Sequence, residues 1–292
     1  MRNVEVSSYD GAQVPMTLLY RRGLKLDGSN PTLLNAYGAC GFSQAAGFSA
    51  ARVAWFEKGG VLALANVRGS GVNGDPWYRA GQKATKPNTW KDGVACAQYL
   101  IAQGYATPKT LAVMGTSAGG IFVGRAVTTA PELFAAAVFD VGVMDAVRAE
   151  DSANGATNIS EFGTAKDSQE FKALLEMSTY HHIKDGTAYP AVLLVQGMND
   201  PRVDAWHAGK AACPFAGRNH QWQAHLAAPG YAGWARHGEH CHATQRDDCR
   251  YLQLLAVANG QIGLERVKAM PMHRIPLFAW RCWQRWPWHL PP

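Results

Sequence analysis

Leu111-Ala112-Val113-Met114-Gly115-Thr116-Ser117-Ala118-Gly119-Gly120 decides how the rest of the chain is read. An apolar run enters Gly-x-Ser-x-Gly, and residues 121–127 continue with the composition of a helix. A buried strand that passes into a helix through a serine flanked by glycines is the sequence form of a nucleophile elbow. The spacing has a steric reason. Ser117 has to sit in a tight, strained turn with its hydroxyl exposed, so Gly115 and Gly119 leave room where strand and helix cross. The helix start behind Ser117 offers backbone N–H groups and a partial positive charge to a developing oxyanion. An ordinary glycine-rich turn is spelled the same way, so partners elsewhere in the chain have to decide between the two.

Working outward, residues 4–20 read as a hairpin that turns at Asp10-Gly11. Asn30-Pro31 precedes a buried strand over 32–37, which runs into Gly38-Ala39-Cys40-Gly41. A helix is expected over 49–58, stopped by Gly59-Gly60, and an apolar strand over 61–67. A loop rich in Gly, Pro and Trp extends to Asn88, and residues 90–103 read as an amphipathic helix. Beyond the elbow come a strand over 135–141, an irregular polar stretch over 151–167, a helix around 171–177 and a last buried strand over 190–197. Apolar strands alternating with helices predict an α/β fold, a mostly parallel sheet with helices on both faces.

Composition agrees with a globular protein: 292 residues, 47% hydrophobic and 17% charged. That length suits one large domain or two small ones. No uninterrupted apolar run would span a bilayer. The first five residues open straight into strand-like sequence without a visible secretory leader; the sequence does not disclose the compartment, and cytoplasmic is the default expectation. The net charge of +6 invites a nucleic-acid reading, but its distribution argues against one. Residues 1–212 hold 19 Lys and Arg against 18 Asp and Glu, whereas residues 213–292 hold 9 against 4. That last segment also carries four of six cysteines, seven of ten histidines and six of ten tryptophans. A boundary is therefore expected at Ala212, between a folded body and an atypical, irregular C-terminal segment.

Asp200 is the second catalytic candidate. It lies just beyond the last apolar strand, in Gly197-Met198-Asn199-Asp200-Pro201-Arg202-Val203. Loops at the carboxyl ends of strands carry the sites of open α/β sheets. The order serine, then acid, then histidine is the one an elbow of this kind requires. Such an acid orients a histidine and stabilises its imidazolium form, and the histidine deprotonates the serine. A solvated Asn-Asp-Pro turn is the alternative.

These residues carry a resemblance. Asp27-Gly28 through Tyr37-Gly38, Ala65-Asn66-Val67-Arg68-Gly69, Lys86 to Trp90, Gly115 to Gly120, Val141-Gly142-Val143-Met144-Asp145 and Asp200-Pro201-Arg202-Val203 follow one another as in the catalytic domain of the prolyl oligopeptidase family of serine peptidases. Residues 1–212 resemble that domain. The resemblance implies an α/β-hydrolase fold that cleaves peptide bonds of oligopeptides through an acyl-enzyme, with no cofactor and no metal. Ser117 would be the nucleophile and Asp200 the acid of the triad. Tyr37 matches a tyrosine whose hydroxyl joins the N–H of Ala118 in the oxyanion hole. Arg202 matches an arginine that holds substrate carbonyls, and Phe162 an aromatic lining the pocket for the residue before the scissile bond.

Three departures stand out. Asn158 takes the place of the tryptophan that stacks on proline in prolyl-specific members, and Cys40 stands where an aromatic is usual. The family's β-propeller does not precede the catalytic domain in this sequence. The Gly-His-Gly segment with the catalytic histidine is not recognisable after Asp200. A shifted reading frame near Cys213 would explain the last departure. Residues 250–260 can be encoded so that a frame one nucleotide later resembles the family's closing helix, and residues 233–238 likewise permit Gly-Gly-His-Gly. His237 lies close to where the triad histidine belongs and is the candidate base, although proton transfer needs hydrogen-bond reach to Ser117. His237, His240, Cys241, His242 and Cys249 resemble metal ligands, but their spacing matches no zinc pattern. The Arg- and Trp-rich end shows no amphipathic helix or binding motif for membrane or nucleic acid. The competing expectations are thus a serine peptidase impaired by loss of its histidine, a non-catalytic remnant that keeps the fold, and an esterase with the same elbow.

Overall fold

The computed structural model describes residues 1–218. Its strands are β1 (Arg2–Ser7), β2 (Gln13–Leu19), β3 (Thr32–Ala36), β4 (Val61–Ala65), β5 (Leu111–Thr116), β6 (Ala136–Asp140) and β7 (Ala191–Val195). They form one sheet in the order β1-β2-β4-β3-β5-β6-β7. The first two strands make an antiparallel hairpin whose tip closes with Gly11 at φ +85°. Strand β2 then pairs antiparallel with β4, and from β4 to β7 every pairing is parallel. Parallel neighbours need crossover connections, and here helices supply them.

The helices are α1 (Ala50–Glu57), α2 (Asp75–Arg79), α3 (Pro87–Ala102), α4 (Gly119–Thr129), α5 (Ile159–Phe162), α6 (Ser168–Met177), α7 (Thr179–His182) and α8 (Trp206–Arg218). Successive strand residues alternate between two apolar layers, as the pleat requires. Leu34, Ala63, Val113, Ala137 and Leu194 pack with Trp90 and Leu100 of α3 and with Phe122 and Val123 of α4. Leu33, Leu62, Ala112, Val138 and Leu193 form the opposite layer with Trp55 of α1. Helices α3 and α4 approach closely at Gly93, where a Cβ would stand 2.1 Å from the Phe122 ring.

Several elements differ from the pattern read in the sequence. Helix α3 starts at Pro87 rather than near Trp90, because proline at the first turn loses no hydrogen bond that the turn would otherwise make. The stretch before it holds α2 and a 3₁₀ turn, Lys83–Thr85, both too short to show a helical period. The polar stretch 151–167 contains α5, again a single turn. Helix α6 begins at Ser168 because the Asp167 carboxylate caps it, accepting from the N–H groups of Gln169 and Glu170 at 2.9 Å each. The compositional break at Ala212 falls inside α8, which runs to Arg218. Ala208, Ala211 and Phe215 bury one stripe of that helix, and the Phe215 ring meets Tyr189 edge-on at 5.4 Å.

Candidate active site

The elbow is built from backbone crowding. Ser117 follows β5 directly and adopts φ +55°, a left-handed conformation that costs energy for a residue with a Cβ. Its N–H donates to the Asp140 carbonyl at 2.8 Å, and its own carbonyl accepts from Gly120 and Val143 N–H, both at 2.9 Å. These bonds tie the turn to the end of β6 and to the loop beyond it. A Cβ on Gly115 would lie 2.3 Å from the Gly119 carbonyl oxygen, and one on Gly120 would lie 2.6 Å from the Gly142 Cα. Any side chain at either position would push α4 off the sheet. Ala118 is the N-cap of α4, among the N–H groups a helix start leaves without intrahelical partners.

Tyr37 follows β3, the strand beside β5, and its phenol lies near enough to the Ser117 side chain to be influenced by it. Burial and the neighbouring Cys40 push the Tyr37 phenol up, so it stays a protonated donor at neutral pH. Arg202 pulls the other way from its exposed position in the loop after β7. Cys40 has φ +53° and opens to solvent over part of its surface. Desolvation by its surroundings, and then the charge of Glu161, raise its thiol, against the opposing effect of Lys86 and Arg202. A groove of about 240 Å³ is lined by Asn35, Tyr37, Phe42, Gln44, Arg52 and Thr116 among others.

Asp200 is half-buried beyond the end of β7. Its Oδ1 accepts from the N–H groups of Arg202 at 2.8 Å and Val203 at 3.0 Å, which turns the loop back on itself. The parallel register aligns Thr116 with Asp140 and Asp140 with Val195, so Ser117 and Asp200 leave the same edge of the sheet. One strand lies between theirs, which separates their strands by about 10 Å. Ser117, Tyr37, Asp200 and Arg202 are thereby gathered at one edge.

Phe162, at the end of α5, is buried, and the Lys86 ammonium stands 5.3 Å from its ring centroid. Asn158 is half-buried in the 3₁₀ turn that leads into α5. His237 and the His and Cys residues around it lie outside the described residues. The histidines that are described have other partners. His181 Nδ1 and the Ser178 hydroxyl are 2.7 Å apart, and His182 Nδ1 meets the Ser178 carbonyl at 2.8 Å. His207 Nδ1 accepts weakly from Met144 and Asp145 N–H, its ring is stacked on Trp206, and burial pushes its pKa down to about 4. Among the described residues no group of His, Cys, Asp and Glu could hold a metal ion. No described helix is long and apolar enough to cross a membrane.

The profile of the prolyl oligopeptidase family, peptidase family S9, matches residues 46–240. The chain belongs to the prolyl oligopeptidase family. It is 39% identical over 205 residues to a prolyl endopeptidase of Elizabethkingia meningoseptica, an alignment covering 70% of this chain and 29% of the relative. A prolyl endopeptidase of Dictyostelium discoideum is 33% identical over 207 residues, covering 70% and 27%. Among solved structures, one from a study of two prolyl endopeptidases superposes with a TM-score of 0.84 at 36% identity, over 89% of this chain and 39% of that one. A post-proline cleaving enzyme from Rickettsia typhi gives 0.82 at 28% identity, over 89% and 38%. The α/β-hydrolase fold expected for the family is the fold of this chain. The chain spans under a third of the length of these curated relatives.

Lys86 opens one of the segments that carry the resemblance, but the sequence assigned it no role, and it did not mark Glu161 at all. Lys86 is buried whole; its ammonium donates to the Gly38 carbonyl at 2.6 Å and to Glu161 Oε1 at 3.4 Å. Glu161 Oε2 in turn accepts from the Tyr78 hydroxyl at 2.7 Å and from Gln82 at 3.1 Å. A lysine just before a helix-starting proline reads as a surface cation, and no local period betrays its burial.

Proposed function

We propose that residues 1–212 form the catalytic domain of a serine peptidase that hydrolyses peptide bonds of oligopeptides through an acyl-enzyme on Ser117. The observation that carries this reading is the left-handed Ser117 with the Tyr37 phenol beside it and Asp200 at the same sheet edge, one strand beyond its neighbour. Ser117 Oγ attacks the scissile carbonyl as its proton passes to an imidazole, and the carbonyl oxygen becomes an oxyanion. The Tyr37 hydroxyl and the Ala118 N–H donate to that oxyanion. Asp200, with Oδ1 already held by two N–H groups, directs Oδ2 to the imidazole. The imidazole would bridge the strand tips with a hydrogen bond at each end, and His237 is the candidate base. The imidazolium then returns its proton to the leaving amine, and water hydrolyses the ester.

Arg202 holds a carbonyl of the substrate, and Phe162, Asn158 and Cys40 line the pocket for the residue before the scissile bond. A half-buried amide and a thiol replace aromatic stacking there, so preference for proline should be weaker than a stacking tryptophan would give. The same site would not engage nucleic acid or a membrane. A fluorophosphonate probe tests the reading: labelling of the full chain that disappears in Ser117→Ala supports it, and no labelling of folded protein overturns it. A second reading, a non-catalytic remnant with the hydrolase fold, draws on the engagement of His181, His182 and His207 away from Ser117. Sequencing the gene beyond Ala212 tests the shifted frame directly. Parallel peptide and ester assays separate a peptidase from an esterase.

A further inference from the structure

Helix α3 presents a buried polar face that the proposed chemistry does not use. Lys86, which caps the start of the helix, and Thr89 and Asp92 within it recur every three residues, and each is wholly buried. Asp92 receives the Arg68 guanidinium and backbone N–H, which secures the loop after β4. Thr89 donates to the Arg68 carbonyl at 2.8 Å. Lys86 reaches further, to the loop after β3 and to α5, which are separated by more than 100 residues of chain. The first of these carries Tyr37 and Cys40, and the second carries Asn158 and Phe162.

Burying an ammonium costs several kcal/mol unless good partners compensate, and an apolar side chain would fill the same space more cheaply. The contacts made here are specific. Gly38, at φ +65°, is wedged so tightly that a Cβ would stand 2.4 Å from Thr89 Cγ2 and 2.8 Å from Val67 Cγ2. Its carbonyl therefore has one place to be, and the Lys86 ammonium sits 2.6 Å from it. The same ammonium faces the Phe162 ring and pairs with Glu161, while Tyr78 and Gln82 fix the other carboxylate oxygen. One cation thus bonds the wall that bears the oxyanion donor to the wall that bears the specificity pocket.

We propose that Lys86, with Glu161 as its counter-ion, is the positioning residue that sets the spacing between the Tyr37–Cys40 loop and the Asn158–Phe162 turn. It acts through those residues and touches neither substrate nor Ser117. The inference rests on the peptidase reading for its catalytic consequence and on geometry alone for the spacing.

The test uses the full chain as wild type, Lys86→Met, Glu161→Gln and the double variant, which leaves no unpaired buried charge and so guards against misfolding. Two readouts are taken. The first is Ser117 labelling by fluorophosphonates with and without a ring next to phosphorus, resolved into the saturation constant and the limiting rate. The second is the pH dependence of Cys40 alkylation by iodoacetamide, followed on its own peptide by mass spectrometry. In the double variant the limiting rate should fall about tenfold with both probes, and the saturation constant should rise more for the ring-bearing probe. Cys40 alkylation should move to higher pH in Lys86→Met and to lower pH in Glu161→Gln, because the two charges act on that thiol with opposite signs. A folded double variant with wild-type labelling constants overturns the proposal, as does a Cys40 profile indifferent to either change. If wild-type Ser117 takes no label, the peptidase reading fails by itself, and the Cys40 profiles decide the spacing role.

Discussion

Gly115→Ala puts the strand–helix crossing to a direct test. The added Cβ would lie 2.3 Å from the Gly119 carbonyl oxygen, 2.7 Å from its carbonyl carbon and 3.0 Å from Val123 Cγ2. A carbon and a carbonyl oxygen sit comfortably at about 3.3 Å, so the crossing must open by about 1 Å. The two nearest atoms belong to the main-chain carbonyl of Gly119, and α4 is pinned behind it by Gly120 against Gly142. Overpacking of this kind costs about 1–3 kcal/mol. Against it stands a gain of about 0.4–1 kcal/mol from the stiffer unfolded chain. The net loss of about 1.3 kcal/mol corresponds to a Tm lower by about 3–5 °C for a domain of this size. Displacement of a reacting group by 1 Å can cost roughly 100-fold in rate. Fluorophosphonate labelling of Ser117 should therefore slow by about that factor while calorimetry still records a cooperative transition. Gly209→Ala serves as the control, since nothing lies within 4 Å of a Cβ there and the residue sits in α8. It should gain about 0.5–1 kcal/mol from helix propensity with labelling unchanged. If Gly115→Ala matches wild type in both Tm and labelling rate, the steric account of the elbow is wrong.

Further outcomes follow from the same geometry. Tyr37→Phe should slow phosphonylation of Ser117 by roughly 10²–10³-fold with little change in the saturation constant, the cost of one oxyanion donor; an equal loss in both parameters would point to substrate binding instead. Asp92→Asn leaves the Arg68 guanidinium, 7% exposed, with Asp10 as its remaining carboxylate, and denaturant unfolding should show a loss of about 1–3 kcal/mol. His207 contributes a pH-dependent term. Its pKa is pushed down to about 4 by burial, so its neutral form is favoured in the native state and stability from it is complete above pH 6.5. As pH falls from 6.5 to 4 the unfolded chain takes up the proton first, and about 3 kcal/mol is lost. His207→Gln should flatten the stability profile across that window, and a variant with the wild-type slope would remove His207 from the account.

The fold was largely legible because the parallel strands are short apolar runs bounded by glycine, asparagine and proline, as at Thr32–Ala36 and Val61–Ala65. Elements of a single turn left no period to read, which is why α2 and α5 escaped notice. Helix α8 was hidden for another reason. Its buried stripe of Ala208, Ala211 and Phe215 continues across a change in composition, and packing against Tyr189 overrides what the flanking residues suggest. In the candidate site, Ser117 and Asp200 announced themselves by motif and position, whereas Lys86 and Glu161 did not. Two charged residues 75 positions apart carry no sign in the chain that they will be buried together.

From residues alone came the strand-to-helix turn at Ser117, since glycines at Gly115 and Gly119 answer a demand for space that is local to a few ångströms. Local demands of that kind are written in adjacent letters. Only the folded sheet decided that the loops after β3, β5 and β7 share an edge, and that a lysine at the start of α3 would be enclosed between two of the site's walls. Those facts depend on strand order and register, which are settled by the summed burial of all the strands rather than by any one segment.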